Sequence, residues 1–121
     1  MALTAASEWE AGRRVALVIG NASYRMGSQL ANPPTDAVAI AAAFARLGFD
    51  PVQQYIDLDK SGHDRALKQF ATLTRKADIA VVYYAGHGME LDGENYLLPV
   101  DAELHDASTL AFEAKIGRAH V

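Results

Sequence analysis

Three apolar runs, separated by two stretches of helical period, leave this chain few folds to choose from. The first run, Val15-Ala16-Leu17-Val18-Ile19-Gly20, is unbroken and ends in glycine. A continuous apolar run of this length reads as a strand buried on both faces. Asn21 to Gln29 is polar and turn-rich, so it reads as a loop. Ala37, Ile40, Ala41, Phe44 and Leu47 then recur at helical spacing, and Gly48 supplies the stop. Pro33 precedes another proline and is biased away from helical geometry, which places the helix start at Pro34 or Thr35. Pro51 to Leu58 is a second strand. Its Gln53 and Gln54 suit a sheet edge. Ser61 with Asp64 three residues on resembles a capping box, and Leu67, Phe70, Leu73 and Thr74 give the next helix an inward stripe. Ala77-Asp78 closes that helix, and Ile79 to Tyr84 forms the third strand. Strand, helix, strand, helix, strand predicts an α/β fold with a parallel sheet, right-handed crossovers and helices on its faces.

The third run ends abruptly in Gly86-His87-Gly88. Glycine permits sharp turns and close approach of another group. A histidine there sits at the carboxyl end of a strand, where α/β folds place their chemistry. Imidazole is the usual general acid/base near neutral pH. The plainer reading is a polar strand cap, and the flanking glycines favour the functional one. Beyond it, Met89-Glu90-Leu91, Asp92-Gly93 and Glu94-Asn95-Tyr96-Leu97 read as a hairpin with an Asp-Gly turn.

Bulk properties exclude several classes. The 121 residues fit one domain or part of one, with 50% hydrophobic and 21% charged residues. A net charge of −4 offers no basic footprint for nucleic acid. No apolar run approaches a membrane span, and the first residues lack the apolar core of a signal peptide, so the compartment is unassigned beyond a cytoplasmic default. There is no cysteine, hence no disulfide and no thiolate metal site. Glu90, Asp92, Glu94 and Asp101 follow His87, but their spacing matches no zinc motif, and the turn accounts for Asp92. No metal is assigned. His63, at a helix start, and His105, in a loop, read as solvated. Tyr24, Tyr83 and Tyr84 read as core or cleft wall. Gly20-Asn21-Ala22-Ser23 lacks the glycine patterns that cradle phosphate, and no Gly-x-Ser-x-Gly elbow is present.

The segment Tyr84-Ala85-Gly86-His87-Gly88 resembles the histidine motif of caspase-like cysteine peptidases, the clan of caspases, metacaspases and their bacterial relatives. Arg14 to Tyr24 is similar to the first strand and following loop of the bacterial members. Leu30-Ala31-Asn32-Pro33-Pro34-Thr35-Asp36-Ala37 resembles the start of their first helix, where Asn-Asp-Ala is more usual than Thr-Asp-Ala. Asn95 to Asp101 resembles the segment after their histidine hairpin. Four segments in order carry the resemblance from about Arg14 to about Ala102.

The resemblance implies a caspase-like, Rossmann-type three-layer sandwich with a mainly parallel sheet. It also implies a cysteine endopeptidase acting on a peptide or protein substrate, with no organic cofactor. His87 would pair with a cysteine thiol on the next strand and protonate the leaving amine. The Gly88 N–H would help hold the oxyanion. Asp36 admits two readings. In the first turn of a helix it favours the dipole. At the matching metacaspase position an aspartate lines the pocket for the residue before the cut, which implies cleavage after arginine or lysine. Caspases that take aspartate use an arginine slightly earlier, and Gln29-Leu30-Ala31 has none.

The expected organisation is a lead-in over 1–13, an incomplete caspase-like domain over 14–115 and a non-native tail over 116–121. Ile116-Gly117-Arg118-Ala119-His120-Val121 fits nothing before it and can be encoded by a common sequencing adapter. On this reading the chain stops before its nucleophile and is inactive alone. Strand 79–84 then exposes an apolar edge that predicts self-association. Two other readings stay open: a pseudo-peptidase scaffold for protein binding, and a flavodoxin-like binding domain.

Overall fold

The computed structural model describes residues 12–103. The tail assigned to 116–121, most of the lead-in, and His105 lie outside the described residues. Five strands and two helices follow in chain order: β1 (Arg14–Gly20), α1 (Pro33–Arg46), β2 (Val52–Ile56), α2 (Lys60–Thr74), β3 (Ile79–Ala85), β4 (Gly88–Leu91) and β5 (Glu94–Leu97). The first three strands form a parallel sheet in the order β2-β1-β3, and β4 and β5 form an antiparallel pair. Helices on both faces make it the three-layer α/β arrangement expected.

Strand β1 is central, and all seven of its residues are buried. Its alternate faces serve different helices. Val18 meets Ala37 and Ala41 of α1, with Ile40, Phe44, Val52 and Tyr83 around them. Val15, Leu17 and Ile19 meet Ala66 and Phe70 of α2, with Tyr55 and Tyr84 alongside. Burying each of these aliphatic side chains stabilises the fold by roughly 2 kcal/mol. Gly20 has a packing reason for lacking a side chain. A Cβ there would lie 2.5 Å from the Pro33 carbonyl oxygen and 2.9 Å from the Ala37 Cβ, so α1 starts directly on the strand end. Strand β2 is the half-exposed edge that its glutamines suggest. Among the described residues β3 is the opposite edge, and Val82, on the face that α2 covers elsewhere, is 48% exposed.

Both helix starts differ from expectation. Helix α1 begins at Pro33, not at Pro34 or Thr35. First-turn residues have no intrahelical N–H partner, so two prolines lose nothing there. The Asn32 carbonyl already accepts from the Asp36 N–H at 2.9 Å. Helix α2 begins at Lys60 and is capped two residues before the expected Ser61. Its cap is Asp59, whose carboxylate accepts from the Gly62 N–H at 2.7 Å. Asp101 takes the Lys60 N–H at 2.9 Å, and Asp64 instead faces the Lys60 ammonium at 3.3 Å. Two carboxylates on the free amides outcompete a serine hydroxyl. Helix α2 ends at Thr74, and Ala77 closes the turn with its N–H on the Thr74 carbonyl.

The β4–β5 hairpin is as expected. Leu91 pairs with Glu94, and Asp92 and Gly93 between them both have positive φ, 53° and 77°. That is the two-residue turn whose twist matches the strands.

Candidate functional site

Parallel pairing sends the ends of β1 and β3 to one edge of the sheet, and the loops after them meet there. The Asn21 N–H extends the ladder by donating to the Ala85 carbonyl at 2.8 Å. The loop that follows β1 is tied to the segment after β5: Arg25 N–H donates to the Val100 carbonyl at 2.9 Å. Tyr24, Leu98, Val100 and Ala102 bury together between them. Asp57, at the end of β2, holds the loop from below, accepting from the Ala22 and Ser23 amides at 2.8 and 3.0 Å. Burial would raise its carboxyl, but these two amides outweigh it and hold the group below its ordinary value.

His87 sits on this edge, half-buried. Its ring Nε2 lies 2.6 Å from the Ser28 carbonyl oxygen. A carbonyl only accepts, so Nε2 carries the proton and Nδ1 is the basic nitrogen. The ring leans on Tyr24, centroids 4.5 Å apart. The peptide around it is held as firmly. His87 N–H donates to the Tyr24 hydroxyl at 2.8 Å, while His87 C=O accepts from the Tyr84 hydroxyl at 2.6 Å and from the Leu98 N–H at 3.0 Å. A hollow of about 160 Å³ opens here, lined by Tyr24, Met26, Gly27, Ser28, His87 and Gly88 among others. An imidazole with a fixed tautomer facing such a hollow can take a proton at Nδ1 and return it.

Sequence reasoning placed His87 and Gly88 together, and both line this hollow. Asp36 lies elsewhere: it is exposed on the first turn of α1 and does not contribute to the hollow's wall. Gly86 has a packing reason for lacking a side chain. Neither Gly86 nor Gly88 has positive φ. A Cβ on Gly86 would lie 2.5 Å from the Tyr84 hydroxyl and 2.7 Å from that of Tyr24. The close approach that Gly86 permits is made by the protein's own tyrosines.

His63 corrects the sequence reading outright. Expected to be solvated, it has no exposed surface. It points inward from the first turn of α2, and its Nε2 lies 2.9 Å from Asn21 Nδ2. The Asn21 amide has one orientation, since its Oδ1 accepts from the Leu58 N–H at 2.9 Å and its Nδ2 donates to the Leu98 carbonyl at 3.3 Å. His63 Nε2 is therefore an acceptor, and the proton sits on Nδ1, which has no partner among the described residues. Burial lowers this histidine to about 4, although Asp64, Asp101 and Asp59 pull the other way. Burial also raises both tyrosine hydroxyls at the edge, Tyr84 the more, so they stay protonated donors. The signal that could have located His63 is its place one turn before Ala66 and two turns before Phe70. The Ser28 carbonyl carried no signal, being a backbone group.

The caspase domain family matches this chain over residues 13–115. Mucosa-associated lymphoid tissue lymphoma translocation protein 1 of Homo sapiens is 36% identical over 89 residues, which are 74% of this chain and 11% of that protein. Its Mus musculus homologue matches over the same shares at the same identity. The chain thus spans about a tenth of the length of these curated relatives. With the family match covering most of the sequence and the α/β sandwich carrying its histidine at the sheet's carboxyl edge, the chain belongs to the caspase domain family.

Proposed function

We propose that this chain is the histidine-bearing part of a cysteine endopeptidase that cleaves after arginine or lysine. The observation that carries the reading is the bond from His87 Nε2 to the Ser28 carbonyl, which leaves Nδ1 as the basic nitrogen of a residue that lines an open hollow. A cysteine thiol would give its proton to Nδ1 and attack the peptide carbonyl as thiolate. The Gly88 N–H, with the cysteine's own amide, would hold the tetrahedral oxyanion. The imidazolium would then protonate the leaving amine, giving a thioester. Water, deprotonated by Nδ1, would hydrolyse it and restore the thiol. Asp36 would line the pocket for the basic residue before the cut through a charge-assisted hydrogen bond.

This sequence contains no cysteine, so it performs no such hydrolysis by itself. The alternative reading is a non-catalytic scaffold that binds peptide without cutting it. The test is the full reading frame, expressed and offered peptides ending in Arg, Lys or Asp before a reporter amide. The peptidase reading expects thiol-dependent release after Arg or Lys. It expects His87→Ala to lower the rate by about 10²- to 10⁴-fold, the usual worth of a general acid/base. Release after Asp would refute the pocket role of Asp36. No thiol-dependent release at all would leave the scaffold.

A further inference from the structure

We propose that Tyr24 and Tyr84 are positioning residues that clamp the His87 peptide and so aim its imidazole at the Ser28 carbonyl. The inference rests on the peptidase reading for its purpose, but on hydrogen-bond geometry for its content. The two hydroxyls lie 2.9 Å apart, on side chains 60 positions apart in sequence. One takes the His87 N–H and the other serves the His87 C=O, so a single residue is gripped from both sides. Both hydroxyls also reach one anchor, the Leu98 carbonyl, each at 3.0 Å.

Each hydroxyl has one proton to give. The shortest contact, 2.6 Å, assigns that of Tyr84 to the His87 carbonyl. Tyr24, already accepting from the His87 amide, gives its own to Leu98 or to the Tyr84 oxygen. The Tyr84 proton is thus placed on the His87 carbonyl, and among the described residues Tyr24 is the side chain that accepts from the His87 N–H. Gly86 completes the clamp by leaving room for the hydroxyl pair. Tyr24 further contributes its ring, tilted 52° against the imidazole, so it fixes both the peptide and the side chain. A strand cap needs none of this. Four placed groups converging on one half-buried residue at an open edge hold its ring at one angle.

Histidine-ring nitrogen NMR tests this on the 121-residue chain itself, with His87 assigned by its loss in His87→Ala. The wild type is expected to show His87 as the Nε2–H tautomer and His63 as Nδ1–H. Tyr24→Phe keeps the ring and removes the acceptor. It should lower the Nε2–H to Nδ1–H ratio of His87 about tenfold, the worth of one hydrogen bond, and leave His63 unchanged as the sign of an intact fold. Tyr84→Phe is the second variant. Should both variants lose the His63 signature, exchange of the His87 amide in the wild type decides: the clamp expects it about 10²-fold slower than an open amide. In the full-length protein, Tyr24→Phe should lower kcat about tenfold with KM unchanged, since substrate contacts remain. A His87 tautomer untouched by either folded variant, or a freely exchanging His87 amide, overturns the clamp. A shifted tautomer in a protein that cuts nothing upholds the clamp and sinks the peptidase.

Discussion

Two histidines connect to the same anchor through different side chains, and the fold makes opposite things of them. His63 is sealed beneath α2 and linked through Asn21 to the Leu98 carbonyl. His87 stands half-open at the sheet edge, and its N–H is linked through the Tyr24 hydroxyl to that same carbonyl. His63 accepts at Nε2, and His87 donates there. The partner decides the tautomer, and exposure decides whether the remaining nitrogen can do chemistry. His63 keeps its Nδ1 proton in a place no substrate reaches; His87 keeps an Nδ1 lone pair on a residue that lines a hollow. Residue type alone separates neither.

The difference is broken most strongly by acid. The folded protein holds His63 at about 4, against 6.5 for the free residue. As pH falls through 6.5 the unfolded chain takes a proton that the folded chain refuses. The stability His63 contributes is therefore complete above 6.5 and lost between there and about 4. At 1.36 kcal/mol per unit the loss amounts to about 3 kcal/mol. Urea unfolding followed across that range should show it in the wild type and not in His63→Phe. A wild-type midpoint that stays level from neutral pH to 4 would mean that His63 is solvated after all.

At constant neutral pH the pair separates by substitution. His63→Ala opens a cavity under α2, but it also removes an Nδ1–H that has no partner among the described residues, so the two effects partly offset. The net cost should be about 2 kcal/mol. His87→Ala, at the rim, should cost less than about 1 kcal/mol, because its peptide bonds to Tyr24, Tyr84 and Leu98 survive the change. Denaturant midpoints of the two variants measure the gap. Equal costs would erase the distinction between a structural and a displayed imidazole.

The sheet order and the hairpin were legible because they rest on patterns a sequence carries whole. An unbroken apolar run marks β1, two glutamines mark the edge strand, and Asp92-Gly93 marks the turn. His87 was legible from its glycines, although the reason for Gly86 was not, since it depends on two tyrosines distant in sequence. His63 was missed for a related cause. Its burial is decided by Asn21 and Leu98, which lie 42 and 35 positions away, and a polar residue in a first turn otherwise reads as solvent-facing. The Ser28 carbonyl was invisible in principle, because every residue offers one. Features written in a local pattern left traces, and those set by distant side chains or by backbone groups did not.

The smallest effect bears on how far the two regions are independent. Asp59 accepts the Gly62 N–H at 2.7 Å and thereby fixes the first turn of the helix that inserts His63. Asp59→Ala removes that cap, at a cost of about 1 kcal/mol. Asp101 still takes the Lys60 N–H, so the turn loosens without being lost. Amides of Lys60 to Asp64 should then exchange about fivefold faster, as about 1 kcal/mol of local opening requires. His87 is held by Tyr24, Tyr84 and Ser28, none of which touches that turn by hydrogen bond, so its ring signal should not move. Movement of the His87 signal in Asp59→Ala would show that strain passes from α2 through Asn21 and Leu98 to the sheet edge. The two histidines would then form one coupled unit, and the sealed one would help set the geometry of the open one.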